Sequence, residues 1–209
     1  MKINDIFHIL TVGGIEENCI IAKCPETSKV IIFDPGEEAG KIIKYLDSIQ
    51  AVPQLIVNTH GHYDHIGAII ELKRIFNIPL WIHENEEEYF LDPSKNYSSL
   101  SGKQISIRPD KLFTEKDKIV VGTLEFKIIH TPGHTLGSCC FIYENVMIAG
   151  DTLFAGSIGR TDLYGGNTET ILRSINKKIL PLDDELIILP GHGRSTTLKE
   201  EKLFNPFLQ

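Results

Sequence analysis

The chain has 209 residues, 42% of them hydrophobic and 23% charged, and a formal net charge of −7. That length supports one sizeable core, and the acidic balance argues against a nucleic-acid partner, which needs a basic face to neutralise phosphates. No apolar run approaches the length of a membrane span, so no membrane partner is expected.

In chain order, residues 3–33 read as a β-meander with turns at Gly13-Gly14 and Pro25-Glu26-Thr27-Ser28, ending in the strand Val30-Ile31-Ile32-Phe33. Ile42, Ile43, Leu46 and Ile49 then repeat at helical spacing, with Pro53 just beyond. The apolar run Leu55-Ile56-Val57 follows, then a second helical pattern through Ile66, Ile69, Ile70, Ile75 and Phe76, closed by Pro79. Residues 92–102 are polar and read as a mobile surface loop. Three more strand-length runs are Phe126-Lys127-Ile128-Ile129, Val146-Met147-Ile148-Ala149 and Leu186-Ile187-Ile188-Leu189, with a helical segment over residues 168–178 before the last. This mixture predicts a layered α/β architecture. No Pro/Gly/Ser-rich linker divides it, so residues 1–209 are read as a single domain.

The opening Met1-Lys2-Ile3-Asn4-Asp5 puts an acid, and then His8, where a signal peptide needs an uninterrupted apolar stretch. Cys19, Cys24, Cys139 and Cys140 lack zinc-knuckle spacing and are expected to be free, mostly buried thiols in a reducing cytoplasm.

The chemistry gathers after the strands. Thr59-His60-Gly61-His62-Tyr63-Asp64-His65 packs three imidazoles and a carboxylate into a tight loop, a donor set suited to zinc, iron or manganese and rich enough for two ions. Each of the five apolar runs is followed within a few residues by a His or Asp: Asp34, His60, His134, Asp151 and His192. Side chains placed beyond the same kind of strand end can converge on one site. Asp34, in Asp34-Pro35-Gly36, is either a turn former or a carboxylate that orients a ligand histidine. His8, His83 and His130 are read as structural.

The ordered motifs resemble those of the metallo-β-lactamase superfamily: the 59–65 loop, His130-Thr131-Pro132-Gly133-His134-Thr135, Gly150-Asp151 and Gly191-His192-Gly193. That resemblance implies an αββα sandwich of two mixed β-sheets flanked by helices, with metals at one edge. Within the superfamily the chain is most similar to short, single-domain proteins of the glyoxalase II (hydroxyacylglutathione hydrolase) group. The residues that carry this likeness are Phe154-Ala155-Gly156-Ser157-Ile158-Gly159-Arg160-Thr161-Asp162 and Gly191-His192-Gly193-Arg194-Ser195-Thr196-Thr197, with Glu201 and Asn205-Pro206-Phe207-Leu208. It implies one metal on His60, His62 and His134, a second on Asp64, His65 and His192, and Asp151 bridging both.

The activity so implied is hydrolysis of a small-molecule thioester by a metal-bridged hydroxide, with two divalent ions, zinc first and iron or manganese as alternatives. Asp64 could also orient the nucleophile with its free oxygen. Arg160 is offered either to a substrate carboxylate or to an ion pair with Asp162, and Tyr164 and the 92–102 loop to the pocket wall. The rival enzymatic reading is a persulfide dioxygenase, a group with a similar Gly-Arg-Thr-Asp segment, using one iron on His60, His134 and Asp151. A non-catalytic metal scaffold would predict a missing ligand, and all seven ligand positions are filled.

Overall fold

A computed structural model of the protein describes residues 3–209. Its first sheet contains β1 (Phe7–Val12), β2 (Glu17–Lys23), β3 (Lys29–Phe33), β4 (Val52–Val57), β5 (Leu80–His83) and β6 (Lys111–Phe113), paired in that order. The meander β1–β3 is antiparallel, and β3 to β6 are parallel. The second sheet holds β7 (Lys118–Val121), β8 (Leu124–His130), β9 (Cys139–Tyr143) and β10 (Val146–Gly150). A hairpin of β11 (Leu153–Phe154) and β12 (Ser157–Ile158) then intervenes, before β13 (Ile187–Pro190) and β14 (Thr196–Thr197) complete the sheet beside β10. Two mixed sheets flanked by helices are the expected α/β sandwich.

Strand periodicity explains the layering. Side chains alternate between faces along a strand. In β3, Ile31 and Phe33 point between the sheets, where they meet Phe126, Ile128, Phe141 and Ile148 of the second sheet. Val30 and Ile32 point the other way, under Ile42 and Leu46 of α2 (Ala39–Ser48) and Ile69 and Leu72 of α4 (Ile69–Phe76). The same rule divides β10: Val146 and Ile148 enter the central core, while Met147 and Ala149 lie under Ile171 of α6 (Thr168–Ser174) and the π-turn Ile175–Ile179.

Three local expectations are corrected. Residues Ile3–Ile6 form a helical turn, α1, and the meander starts only at Phe7. The second helical pattern is broken into α3 (Tyr63–Ile66) and α4, because the chain between them passes Pro35 and Gly36: Ala68 N–H donates to Pro35 O at 3.0 Å, and a Cβ on Gly67 would fall 2.3 Å from Gly36 O. The polar 92–102 loop, expected to be mobile, is pinned from within. Asn96 is fully buried and donates to the carbonyls of Tyr89 (2.8 Å) and Ile105 (2.9 Å), and buried Ser98 Oγ accepts from Ile105 N–H.

The topology sends the active loops to one edge. β3 and β4 run parallel, as do β10 and β13, while β8 and β10 both run opposite to β9. Their C-terminal ends therefore leave toward the edge where the two sheets are stitched together. There Asn18 N–H donates to Gly191 O (2.8 Å) and Cys139 N–H to Thr59 O (3.0 Å) across the sheets, while Gly191 N–H donates to Gly150 O (2.8 Å) within the second.

Phe33 is fully buried at the centre of the sandwich, with its ring 5.1 Å from Phe141 and 5.4 Å from Phe126. Phe33→Ala should cost about 3–5 kcal/mol of stability, which urea unfolding of the two proteins will read directly.

Candidate metal centre

At the stitched edge, His60, His62 and His134 bring one ring nitrogen each to within 4.8 Å of one another, and Asp64, His65 and His192 form a second such group. His134 comes from the loop after β8 and lies between its partners: its Nε2 is 2.9 Å from His62 Nδ1 and 3.2 Å from His60 Nε2.

The tautomers follow from the surrounding hydrogen bonds. His134 Nδ1–H donates to Arg160 O at 2.8 Å, leaving the Nε2 lone pair inward. The Thr59 hydroxyl donates to Asp34 Oδ2 (2.5 Å), so Thr59 Oγ1 accepts from His60 Nδ1–H at 3.0 Å and the His60 Nε2 lone pair also points inward. Two lone pairs thus face each other at 3.2 Å. Burial, reinforced by the neighbouring imidazoles, pushes His60 and His62 well below the usual histidine range, so protonation does not relieve the contact. A hydrogen-bond donor or a cation does, and His62 Nδ1 stands 2.9 Å from the same His134 Nε2.

The second group is held by charge. His65 Nδ1–H donates to Asp34 Oδ2 (3.1 Å), which turns its Nε2 toward Asp64 Oδ2 at 3.4 Å and Asp151 Oδ1 at 3.5 Å. Burial opposes charge on this ring, yet Asp64, Asp151 and Asp34 raise His65 well above the ordinary value. Burial likewise opposes ionisation of Asp64, but His65, His192 and His62 hold its carboxyl well below the usual range. His192 Nδ1–H donates to Ile15 O, aiming Nε2 at Asp64 Oδ2, 3.1 Å away.

Asp151 faces both groups, 3.5 Å from His134 and 3.5 Å from His65, with His192 at 3.9 Å. Its Oδ1, together with Nε2 of His62 and of His65, is buried without a hydrogen-bond partner. Imidazole nitrogens and carboxylates with unmet polar demand are a donor set that fits divalent metals.

Asp34, Thr59 and Glu17 form the support beneath. Asp34 sits at φ +47°, an unfavourable backbone region for a non-glycine residue, and its Oδ1 accepts Thr59 N–H at 2.7 Å. It thus orients His60 through Thr59, and His65 directly. Glu17 was not singled out from sequence. It is buried, neither oxygen has a hydrogen-bond partner, and its Oε1 lies 3.7 Å from His65 Nδ1. Glu86 was missed as well, since a Glu in the run Glu84-Asn85-Glu86-Glu87-Glu88 reads as solvated surface. In the fold it is fully buried, and burial pushes its carboxyl up to about 7.

Above the centre lies a cavity of about 400 Å³, walled by Ile15, Tyr97, Phe154, Ile158 and Leu163, with Arg160 at its rim. Arg160 makes a two-pronged ion pair with Asp162 (2.8 and 2.7 Å). Tyr164, expected at the pocket wall, stands behind it. Its hydroxyl donates to Glu88 at 3.0 Å, and its N–H donates to the Tyr97 hydroxyl at 2.7 Å, so Tyr97 is the ring that reaches the cavity. The 92–102 loop does contribute to the wall, through Tyr97.

The fold and this His/Asp cluster define a protein with a metal centre at the edge of a two-sheet sandwich. The chain belongs to the metallo-β-lactamase superfamily: the description "Metallo-beta-lactamase superfamily" matches residues 12–192. Among relatives, it is 38% identical over 203 residues to the probable metallo-hydrolase YqgX of Bacillus subtilis (strain 168), covering 95% of each chain. It is 36% identical over 205 residues to the hydroxyacylglutathione hydrolase GloC of Haemophilus influenzae, covering 96% of each. Among solved structures, the BLEG-1 B3 metallo-beta-lactamase superposes with a TM-score of 0.93 at 40% identity, over 98% of this chain and 100% of that one. TTHA1623 in a di-iron-bound form superposes with a TM-score of 0.87 at 30% identity, over 96% and 100%. Among the described residues, no helix is long and apolar enough to cross a membrane, and all four cysteines are free and buried.

His83 and His130 stand apart from the centre, stacked on each other with ring centroids 4.2 Å apart. Burial, and then the His130 charge, push His83 down to about 4 from 6.5, with Lys178 adding to the effect and Glu115 opposing it. The unfolded chain takes up this proton near pH 6.5 and the folded chain only near 4, so stability falls as pH drops through that window. The loss in unfolding midpoint between pH 7 and pH 5 should be smaller in His83→Phe than in the parent protein. Separately, Asp34→Ala should weaken metal binding by about 10–100-fold, measured by competition with a chromogenic chelator.

Proposed function

We propose that the protein is a hydrolase of small-molecule thioesters that works with two divalent metal ions. The observation carrying this reading is the pair of donor groups set side by side, with the Asp151 carboxylate facing both. His60, His62 and His134 would hold one ion, Asp64, His65 and His192 the other, and Asp151 would bridge them. When bound, such a pair supplies an acidified water near neutral pH and polarises a carbonyl.

The chain's own groups account for the remaining requirements. Asp64, with His65 and His192 against its Oδ2, is ionised and can orient a water with its other oxygen. A thiolate leaving group comes from an acid of pKa about 8.5 and needs no strong general acid. The cavity lining accordingly has apolar walls for an acyl chain, in Ile15, Phe154, Ile158 and Leu163. The kinship with GloC, a hydroxyacylglutathione hydrolase, supports the thioester, and the di-iron form of TTHA1623 supports two ions, with iron beside zinc.

The second reading is a one-iron dioxygenase on His60, His134 and Asp151. It has a specific geometric basis, since His134 Nε2 lies 3.2 Å from His60 Nε2 and 3.5 Å from Asp151 Oδ2, a two-histidine, one-carboxylate set.

Protein purified without chelators and without oxygen should contain two metals per chain and hydrolyse acyl-thiol esters. Asp151→Ala should lower the metal content toward one and cut kcat by at least about 10²-fold. One iron per chain, with oxygen uptake on a persulfide and no thioester cleavage, would establish the dioxygenase instead.

A further inference from the structure

We propose that Glu86 is the positioning residue of the first donor group, setting the distance between the two loops that carry His60, His62 and His134 and leaving the second group untouched. The inference rests on the two-ion reading above.

Glu86 lies in a 3₁₀ turn, Glu84–Glu86, that follows β5 and carries the segment over the metal edge. Its carboxylate accepts three hydrogen bonds. Oε2 takes Gly61 N–H at 2.7 Å; Oε1 takes the Thr135 hydroxyl at 2.5 Å and Gly137 N–H at 2.7 Å. Gly61 sits between His60 and His62 on the first sheet's loop. Thr135 directly follows His134 on the second sheet's loop. One side chain therefore ties together the backbones that present all three nitrogens. Ser138 completes the tie from below, its Oγ accepting Thr135 N–H at 3.0 Å and lying 2.6 Å from the Thr135 hydroxyl.

Two glycines record how closely this segment must approach. A Cβ on Gly61 would lie 2.7 Å from Tyr89 Cβ and 3.1 Å from Glu86 Oε2. A Cβ on Gly137 would lie 2.8 Å from Glu86 Cγ and 2.9 Å from its backbone nitrogen. Neither glycine has positive φ, so the turn itself does not demand them; the approach of the Glu86 segment does.

The two donor groups are supported differently. Asp34 braces His65 directly and His60 through Thr59, and Ile15 O braces His192. The hydrogen bonds of Glu86 go to Gly61, Thr135 and Gly137, none of them in the second group. A glutamine keeps the shape of this side chain but presents only one oxygen, so an N–H₂ must face at least one N–H or O–H donor. The loops then separate, and the first nitrogen triad loses its spacing.

The test is titration of metal-free protein with Co²⁺, followed by calorimetry and visible absorption, in the parent, Glu86→Gln and Glu86→Asp. The parent should bind two equivalents. Glu86→Gln should weaken one step by about 10–100-fold, with loss of that step's absorption bands, and leave the other step unchanged. Glu86→Asp should recover part of the loss. In a His134→Ala background, which disables the first group, adding Glu86→Gln should change nothing further. Should Glu86→Gln not fold, Thr135→Val removes one of the three donors and should weaken the same step by a smaller factor.

Equal weakening of both steps, or unaltered binding with only a lower unfolding midpoint, would overturn the assignment. A parent that binds one equivalent would sink the two-ion reading by itself. Glu86 would then be judged on that single step, and an unchanged affinity in Glu86→Gln would refute its role.

Discussion

The arrangement at this edge depends on two imidazole lone pairs brought face to face. His60 Nε2 and His134 Nε2 come from opposite sheets and meet at 3.2 Å, each with its proton committed to the far nitrogen. Neutral rings held this way repel, and burial denies them a second proton. The shared strand direction, the cross-sheet hydrogen bonds and the close-packed glycines hold these two rings in one cluster with His62, whose Nδ1 lies 2.9 Å from His134 Nε2.

The two donor groups reach this state by different means. In the first, the rings are backed by neutral partners, the Thr59 hydroxyl and the Arg160 carbonyl, and their spacing is set by backbone. In the second, His65 is backed by Asp34 and faces Asp64 and Asp151, with buried Glu17 3.7 Å from its Nδ1. The first is thus a nitrogen-rich environment and the second a carboxylate-rich one. Softer and harder cations discriminate between such surroundings. Asp151 faces both, 3.5 Å from His65 and 3.5 Å from His134.

Much of this was legible in the sequence because the signals were local. Strand-length apolar runs ended in His or Asp, and very few loops need the composition of residues 59–65 for a structural reason. Placing Asp34, His60, His134, Asp151 and His192 each just beyond a strand made their convergence on one site an expectation. Glu86 and Glu17 were not legible, for one physical reason. Each acts through contacts with residues far away in sequence, such as Gly61 and Thr135 for Glu86, and nothing in its own neighbourhood distinguishes it from a solvated acid. The 92–102 loop misled in the opposite direction. Its polarity suggested solvent, but Asn96 and Ser98 spend their polar groups on buried backbone that would otherwise lack partners. Polar composition marks a need for hydrogen bonds, and water is only one way to meet it.

That pinned loop also bears on what the centre can act upon. Tyr97 reaches the cavity at φ +65°, its hydroxyl accepting Tyr164 N–H and its ring 5.8 Å from His62. A tyrosine in that backbone region persists only where its surroundings over-determine it, and buried Asn96 on one side and Ser98 on the other supply the constraint. Arg160, across the opening, is paired with Asp162 in an exposed two-pronged ion pair. The mouth therefore presents a fixed aromatic edge and apolar walls beside an exposed ion pair. The His/Asp cluster supplies the polar floor of this cavity, and the 92–102 loop, through Tyr97, gives it one fixed aromatic side.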